Sequence, residues 1–523
     1  MTTLEVDRTL AIDVRDQAYR DLRSAMSPAN MEAARRCSAR LRAALPYPDQ
    51  LESNLVLVAF GGGKDSAYTL AFVRAMQLIA FGVHGATFRL RVATNRHAGM
   101  PRAVLENVDR AYQALRLPAD PGCELLLIDG NEVTPFDVNA PQRDYVVRRN
   151  RLDILMTGHR TLADGRPTFC NACNLSVLNS FGVAASYGGG ADLIITGDSE
   201  QEQRQYALWV GRLARRLAPS AKATSATGTS RFLAQVDRIA QSYFTDIHGP
   251  DAADAIAERR VTADVPQRLK FFSIYADTAY AAGDHMEMLT GFLGFEFDDL
   301  AFSFTESDCG NPALMAHLRA LKCERVYQRS YAEGMAEYVE FALGLMGKKD
   351  FPAELVELMR ARYEGPAAVT RMRRAASDYA VETFGLAEEQ LVCMAYSPFA
   401  GRGAGLTEFL GREHPALAGH ADDIHALLAA KPGEPGELGE PGELGELGEP
   451  GDAPALAGEL ERVSGLELPQ LRVLYRSSVR RRDGSGAGTQ IIDAVLADDP
   501  HKAVIRTRHT QNGPSTLEQI SGR

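Results

Sequence analysis

Apolar positions change their period along this chain. Residues 1 to about 50 contain "AYRDLRSAM" and "NMEAARRCSARLRAAL", whose apolar residues recur at helical spacing. Between about 54 and 217, short apolar runs alternate with longer amphipathic ones. "NLVLVAF" (54–60), "ATFRLRVAT" (86–94), "CELLLID" (123–129) and "ADLIITG" (191–197) have the length and composition of buried strands. "SAYTLAFVRAMQLIA" (66–80), "MPRAVLENVDRAYQAL" (100–115), "NACNLSVLNSFGVAASYG" (171–188) and "QEQRQYALWVGRLARRL" (201–217) read as helices. Pro101 falls in the first turn of the second of these, and Gly188 to Gly190 close the third. Strands and helices alternating at this spacing predict an α/β fold, a mostly parallel sheet with helices on both faces. Ligands of such sheets bind outside the carboxyl ends of the strands.

Beyond about 225 the strand signal fades. Long amphipathic stretches follow, among them "NPALMAHLRALKCERVYQRSYAEGMAEYVEFALGLM" (311–346), and a helical second domain is expected. "GEPGELGEPGELGELGEPGDA" (433–453) has a collagen-like triplet period but too few repeats and too little proline for a triple helix, so it reads as a flexible acidic linker. The tail after it shows strand patterns at "LRVLY" and "AVIRT". The expected divisions are an N-terminal helical segment (1–50), an α/β domain (51–220), a mostly helical domain (221–430), the linker (431–455) and a small C-terminal module or tail (456–523).

Length and charge narrow the class. At 523 residues the chain exceeds one small core, and 45% hydrophobic with 24% charged residues is ordinary for a globular protein. A net charge of −11 argues against a whole-surface electrostatic grip on nucleic acid. The Arg212–Arg215–Arg216, Arg371–Arg373–Arg374 and Arg480–Arg482 groups read as solvated faces. The N-terminus lacks a secretory pattern and no apolar run approaches a membrane span, so a cytoplasmic location without membrane contact is expected. Seven cysteines are too few and too scattered for a disulfide framework.

Chemistry first shows in "LVLVAFGGGKDSAYTL" (55–70). A strand ending in glycines that turns straight into a helix offers bare backbone N–H groups and the positive end of a helix dipole to phosphate. Gly61, Gly62 and Gly63 allow close approach, Lys64 adds a cation and Ser66 a hydroxyl. Asp65 beside phosphates calls for a divalent cation between them. The residues therefore point to a nucleotide phosphate with Mg²⁺. They fit neither the Walker pattern nor the dinucleotide pattern.

"GGGKDS" resembles the PP-loop of the ATP pyrophosphatase superfamily, Ser-Gly-Gly-x-Asp-Ser, with Gly61 in place of the first serine. The resemblance covers about residues 50 to 315. It implies a Rossmann-like sheet of the PP-loop type, cleavage of ATP between its α and β phosphates, and transfer of AMP to a substrate oxygen. An amine or sulfur nucleophile then displaces the AMP. By the same resemblance the loop binds pyrophosphate, Asp65 contacts Mg²⁺ and backbone near Thr94 holds adenine.

A second motif lies in "FCNACNLSVLNSFGVAASYGGGADLIITGDSEQEQRQYA". Cys170 and Cys173, expected on a turn before a helix, bring two thiols to one centre. The block is similar to the tRNA-thiolating branch of the PP-loop family, in which three cysteines hold a [4Fe-4S] cluster with an open iron position. Cys309, in "FSFTESDCGNPALMAHL", is the expected third ligand. A redox dithiol and a zinc site are the alternatives. Gly197 begins the family's turn after the strand, Asp198 stands where that branch has histidine, and Glu202 is the surviving carboxylate. Lys64, Asp65, Asp198 and Glu202 are the expected catalytic groups. The branch's tRNA-gripping zinc ribbons are missing. A small-molecule or peptide substrate is therefore preferred to tRNA, with a sulfur or nitrogen donor protein and a homo-oligomeric state as further expectations.

Thr157–His159 repeats Thr-Gly-His but precedes the cysteines and is taken as a decoy. "TESD" (305–308) reads as a helix cap, His285 and His317 as structural, and Cys37, Cys123, Cys323 and Cys393 as core or single thiols. The expected activity is adenylation of a carbonyl or carboxylate oxygen followed by its replacement with sulfur through the cysteine cluster. An amide- or amidine-forming ligase with cysteine-bound zinc is the alternative. A non-catalytic, nucleotide-responsive scaffold is the third reading.

Overall fold

A computed structural model describes residues 3–198, 200–217, 228–278, 285–298, 300, 309–348, 353–430, 452–479, 494–495, 502–508 and 515–521. Two helices, α1 (Thr3–Ala25) and α2 (Pro28–Ala44), open the chain. The alternating region follows as β1 (Leu55–Ala59), α3 (Lys64–His84), β2 (Arg89–Asn95), α4 (Arg102–Ala114), β3 (Cys123–Asp129), β4 (Glu132–Pro135), α5 (Asp144–Arg160), α6 (Gly165–Ser186), β5 (Leu193–Ile195) and α7 (Glu200–Leu217). After it come α8 (Gly228–His248), α9 (Ala253–Ala257), β6 (Lys270–Phe271), α10 (Asn311–Leu321), α11 (Tyr331–Lys348), α12 (Ala353–Arg362), α13 (Pro366–Phe384) and α14 (Glu388–Tyr396). The last described elements are α15 (Ala400–Gly403), α16 (Leu406–Glu413), α17 (Ala421–Ala429), α18 (Asp452–Ser464), α19 (Leu468–Arg476), β7 (Lys502–Arg508) and β8 (Ser515–Ser521).

Six strands form one sheet in the order β4-β3-β2-β1-β5-β6. All neighbours are parallel except β3 and β4. The chain leaves β1 toward β2 and β3 on one side and later returns to add β5 and β6 on the other. That reversal at β1 is the switch point of a doubly wound sheet, where ligands bind. β1 is buried along nearly its whole length, which is why its sequence is a continuous apolar run rather than an alternating one.

The core lies on both faces of the sheet. One layer packs α2, α3 and part of α4 against Val56, Val58, Leu90 and Val92. The opposite layer starts from Leu55, Leu57 and Ala93 and continues through α6, α8 and α10 into the later helices without a break. α3 is long and apolar enough to cross a membrane, but 78% of the relevant window is buried against the sheet, the setting of a core helix. It stops at Gly85, whose φ of 69° is the left-handed cap that glycine adopts without strain.

Two local expectations fail for identifiable reasons. Cys170 and Cys173 lie inside α6, not on a turn before it, because the helix already begins at Gly165. Pro167 sits in its first turn, where a missing N–H costs nothing. The 311–346 stretch is helical as expected, in two segments. After α10 a wider π turn spans Lys322–Val326, and Gln328 takes φ 51° before α11. "LRVLY" is helical within α19, where Leu471 and Leu474, three residues apart, are buried together and Pro469 occupies the first turn. "AVIRT" does form a strand, within β7, and pairs with β8. Pro101 stands at the N-cap of α4, one place before the helix. Most of the linker, at 431–451, the "TESD" segment and Arg480–Arg482 lie outside the described residues.

Candidate functional site at the carboxyl edge of the sheet

The glycine turn occupies the switch point. Phe60 donates its N–H to Ala93 O at 2.9 Å, which holds the chain beside β2 as it leaves β1. Gly62 then takes φ 77°, and a Cβ there would lie 2.7 Å from Val104 Cγ1 and 2.9 Å from Val108 Cγ2. Only glycine fits that position, both by conformation and by space. Around Gly61 the space is open, with nothing within 4 Å of a built Cβ. Gly63 caps α3 without a side-chain hydrogen bond. Ser66 Oγ donates to Gly63 O at 2.9 Å and Thr69 Oγ1 to Asp65 O at 2.9 Å, so both hydroxyls brace the first turn. Lys64 is buried with its Nζ 2.5 Å from Asp65 Oδ1, while the Asp65 side chain is 42% exposed.

Across the switch point, the turn after β5 closes on the glycine turn. A Cβ at Gly197 would meet Ser66 N at 3.1 Å and Ser66 Cα at 3.2 Å. Tyr275, four residues past β6, ties the two turns together. Its hydroxyl donates to Gly197 O at 2.9 Å and lies 3.1 Å from Thr69 Oγ1. Burial pushes its phenol pKa well up, and the negative charges of Asp65, Asp198 and Glu202 add to the rise. The three carboxylates named from the sequence thus all act electrostatically on this phenol. Nothing in the periodicity of the chain marks Tyr275, which reaches the site from a segment some 200 residues away from the glycine turn.

β2 ends beside them. Thr94 is buried and its hydroxyl lies 3.1 Å from Tyr112 OH, on the α4 side of the sheet. Asn95 follows on the opposite side, only 8% exposed, and neither its Oδ1 nor its Nδ2 has a partner among the described residues. The whole loop from Asn95 to Met100 is buried, which is unusual for a loop. Arg96 pairs with Asp129 within it. A polar residue closing an apolar strand at the ligand edge was the one sequence signal for Asn95.

The segment of Cys309 caps that loop. Gly310 donates its N–H to Gly99 O at 3.1 Å, and Tyr379 OH donates to the same oxygen at 2.6 Å. Asn311, two residues after Cys309, donates from Nδ2 to Phe169 O at 3.2 Å, with Cys170 Sγ 4.0 Å away. Asn311 Oδ1 rests against Gly99 and has no hydrogen-bond partner among the described residues. The fold thus brings the beginnings of α10 and α6 together over the end of β2. Cys170 and Cys173, three residues apart, share one helix face. No disulfide joins any of the seven cysteines. Among the described residues, no three or more His, Cys, Asp or Glu side chains are placed to hold a metal ion, Cys170, Cys173 and Cys309 included. As placed, these residues do not assemble a ligand set for a cluster or zinc.

Other candidates lie elsewhere. His159 is fully buried in α5 with neither ring nitrogen partnered among the described residues, and burial pushes its pKa down to about 3. His285 stacks on Tyr68 with ring centroids 4.4 Å apart, and His317 Nδ1 lies 2.7 Å from Tyr331 OH. Cys37, Cys323 and Cys393 are buried, and burial pushes the Cys37 thiol up to about 12. Arg373 pairs with Glu324 and Glu388. No protein-family model matches the chain, and no curated protein matches it significantly.

Proposed function

We propose that the chain is an ATP pyrophosphatase of the PP-loop type that adenylates a substrate oxygen and lets a sulfur nucleophile replace it. One observation carries this reading: the turn after the central strand has a glycine that admits no side chain, opens into a helix N-terminus that carries Lys64 and Asp65, and is faced by Gly197. Pyrophosphate would rest on the N–H groups of the first turn of α3, with Lys64 as counter-charge. Asp65, half-exposed, is the residue to hold Mg²⁺, which neutralises charge on the leaving pyrophosphate.

The substrate oxygen attacks the α-phosphorus, the bond to the bridging oxygen breaks, and pyrophosphate leaves. A hydrosulfide then adds to the activated carbon, its proton passes to the substrate nitrogen or to solvent, and AMP departs with the original oxygen. Gathering the reactants at one edge makes both attacks effectively unimolecular. Cys170 and the Cys309 segment stand beside that edge, where the sulfur must arrive.

The test is the fate of ATP labelled at the α-phosphorus, incubated with Mg²⁺, the full chain and a metabolite extract. AMP and pyrophosphate are expected, and Asp65→Ala lowers their formation by about a hundredfold or more. ADP with inorganic phosphate as the products rejects the reading.

A further inference from the structure

The phenol that joins the two turns of the ligand edge stands on a segment the sheet does not hold. β6 is an exposed edge strand of two residues, and the ladder to β5 ends where Phe272 donates its N–H to Ile194 O at 2.9 Å. Residues 272–278 then pass outside any strand or helix. Tyr275 sits in their middle, yet its hydroxyl must meet Gly197 O at 2.9 Å and Thr69 Oγ1 at 3.1 Å. Ser273 Oγ accepts the Tyr275 N–H at 3.2 Å, and Asp277 donates its N–H to Ile274 O at 3.0 Å. Those bonds shape the turn, and only the fully buried Ile274 side chain roots it in the core on the α3 side. Hydrogen bonds depend steeply on distance and angle, so a turn rooted at one point needs an outside hold to keep the phenol in place.

Arg40 of α2 supplies that hold. Its Nη2 donates to Ser273 O and to Asp277 Oδ2 at 2.6 Å each, and its Nε donates to Asp277 Oδ2 at 2.9 Å. Its guanidinium carbon lies 4.2 Å from the centroid of the Phe272 ring. These contacts fall on residues 272, 273 and 277, on both sides of Tyr275. A planar fork of fixed donors suits such bridging better than a single ammonium. α2 is itself tied to α3, because Ser38 Oγ donates to Met76 O at 3.0 Å. α3 in turn begins at the glycine turn. One helix therefore links α3 to the turn that carries Tyr275. The Arg40 side chain is 40% exposed, and an ion pair so placed adds little to global stability. Its consequence is local geometry at the ligand edge.

We propose that Arg40 is a positioning residue of the nucleotide site, acting through Ser273, Asp277 and Tyr275 on the two turns at the switch point. Arg40 needs no contact with phosphate for this. The phenol spans the turns, and Thr69 beside it donates its own hydroxyl to Asp65 O at 2.9 Å, inside the first turn of α3. Loosening the clamp lets the phenol drift, and the two turns lose their common tie. This rests on the nucleotide reading of the glycine turn above and adds to it a residue outside the sheet.

Titration calorimetry of the full chain with Mg·ATP tests it. Arg40→Ala and Asp277→Ala release the same clamp from its two ends, and each is expected to raise the Kd about three- to fivefold. Tyr275→Phe should raise it by about tenfold or less. Arg40→Ala combined with Tyr275→Phe should bind no more weakly than Tyr275→Phe alone, to within about twofold, because the arginine has nothing left to position. Arg42→Ala is the control. Arg42 lies on the same helix but donates to Pro48 O at 2.8 Å and Asp49 Oδ1 at 2.9 Å. Its loss should leave the Kd within about twofold. An unchanged Kd in Arg40→Ala, increases that multiply in the double variant, or an equal rise in Arg42→Ala would each overturn the inference and leave the nucleotide reading standing. No Mg·ATP binding by the unaltered chain overturns that reading and the inference with it.

Discussion

Two places in this molecule concentrate buried polarity, and they treat it in opposite ways. The first is the docking of the β7–β8 hairpin. Glu518, 3% exposed, accepts from Arg319 Nη1 and Lys322 Nζ at 2.7 Å each, from Tyr327 OH at 2.8 Å and from Thr507 Oγ1 at 2.9 Å. Arg319 is further paired with Glu337 at 2.6 Å, and Lys322 donates to Leu162 O at 2.7 Å. Burial pushes the Glu518 carboxyl up, but Lys322 and Arg319 outweigh it and hold it well below the usual carboxylate range. The second place is the carboxyl edge of the sheet, where Asn95 and the Asn311 oxygen have no partner among the described residues and the α3 N-terminus has no side-chain cap. Where every charge is answered within the chain, polarity serves the fold. At the sheet edge these groups stay unanswered among the described residues.

Breaking this contrast starts with its satisfied side. Glu518→Ala leaves Arg319 and Lys322 buried without their shared anion, and a loss of about 3–5 kcal/mol is expected in denaturant unfolding. Mg·ATP binding of the folded fraction should persist. A loss below about 1 kcal/mol would show that the hairpin is not held by this carboxylate.

The next effect depends on pH. His159 is neutral when folded, with a pKa of about 3 against an unfolded value of 6.5. Between those values only the unfolded chain holds the proton, so stability falls as pH drops, by about 1.4 kcal/mol per unit. The contribution is complete above pH 6.5. His159→Phe should flatten unfolding free energy between pH 6.5 and 4, and an unchanged slope would place the titration elsewhere. Glu518 acts with the same sign at lower pH: its depressed carboxyl stabilises above the ordinary value of 4.5, and that stability fades as pH falls below it.

Tyr275→Phe is the smallest and the most discriminating, because its hydroxyl links both turns of the ligand edge. A cost of about 1 kcal/mol in stability is expected. The KM for ATP should rise by about tenfold or less, with kcat little changed. Full retention of ATP affinity would mean that the two turns hold their spacing without it.

The legible parts of this chain were those set by local periodicity. β1 and β3 are central or strongly apolar, and their runs match the strands at Leu55–Ala59 and Cys123–Asp129 closely. α5 was missed because "DYVVRRNRLDILMTGHR" is buried mainly along its second half, so its apolar pattern is short. α6 begins at Gly165, ahead of the expected 171, because a proline such as Pro167 is tolerated in a helix's first turn. In the candidate site, the glycine turn was visible as a motif, since backbone geometry demands those residue types in consecutive positions. Tyr275 and Asn311 were not, since each acts through a contact with a distant segment.

The sequence by itself settled the alternation that builds a parallel sheet and the glycines that must follow its first strand. Both depend on neighbours along the chain: which residues can be buried on two faces, and which can adopt a left-handed φ. The tertiary structure alone decided that Gly197 faces Ser66, that Asn311 lies against Cys170, and that Glu518 answers Arg319 and Lys322. Those pairings join residues far apart in the chain. No local preference encodes them, because they arise only when packing brings separate elements within reach of one another.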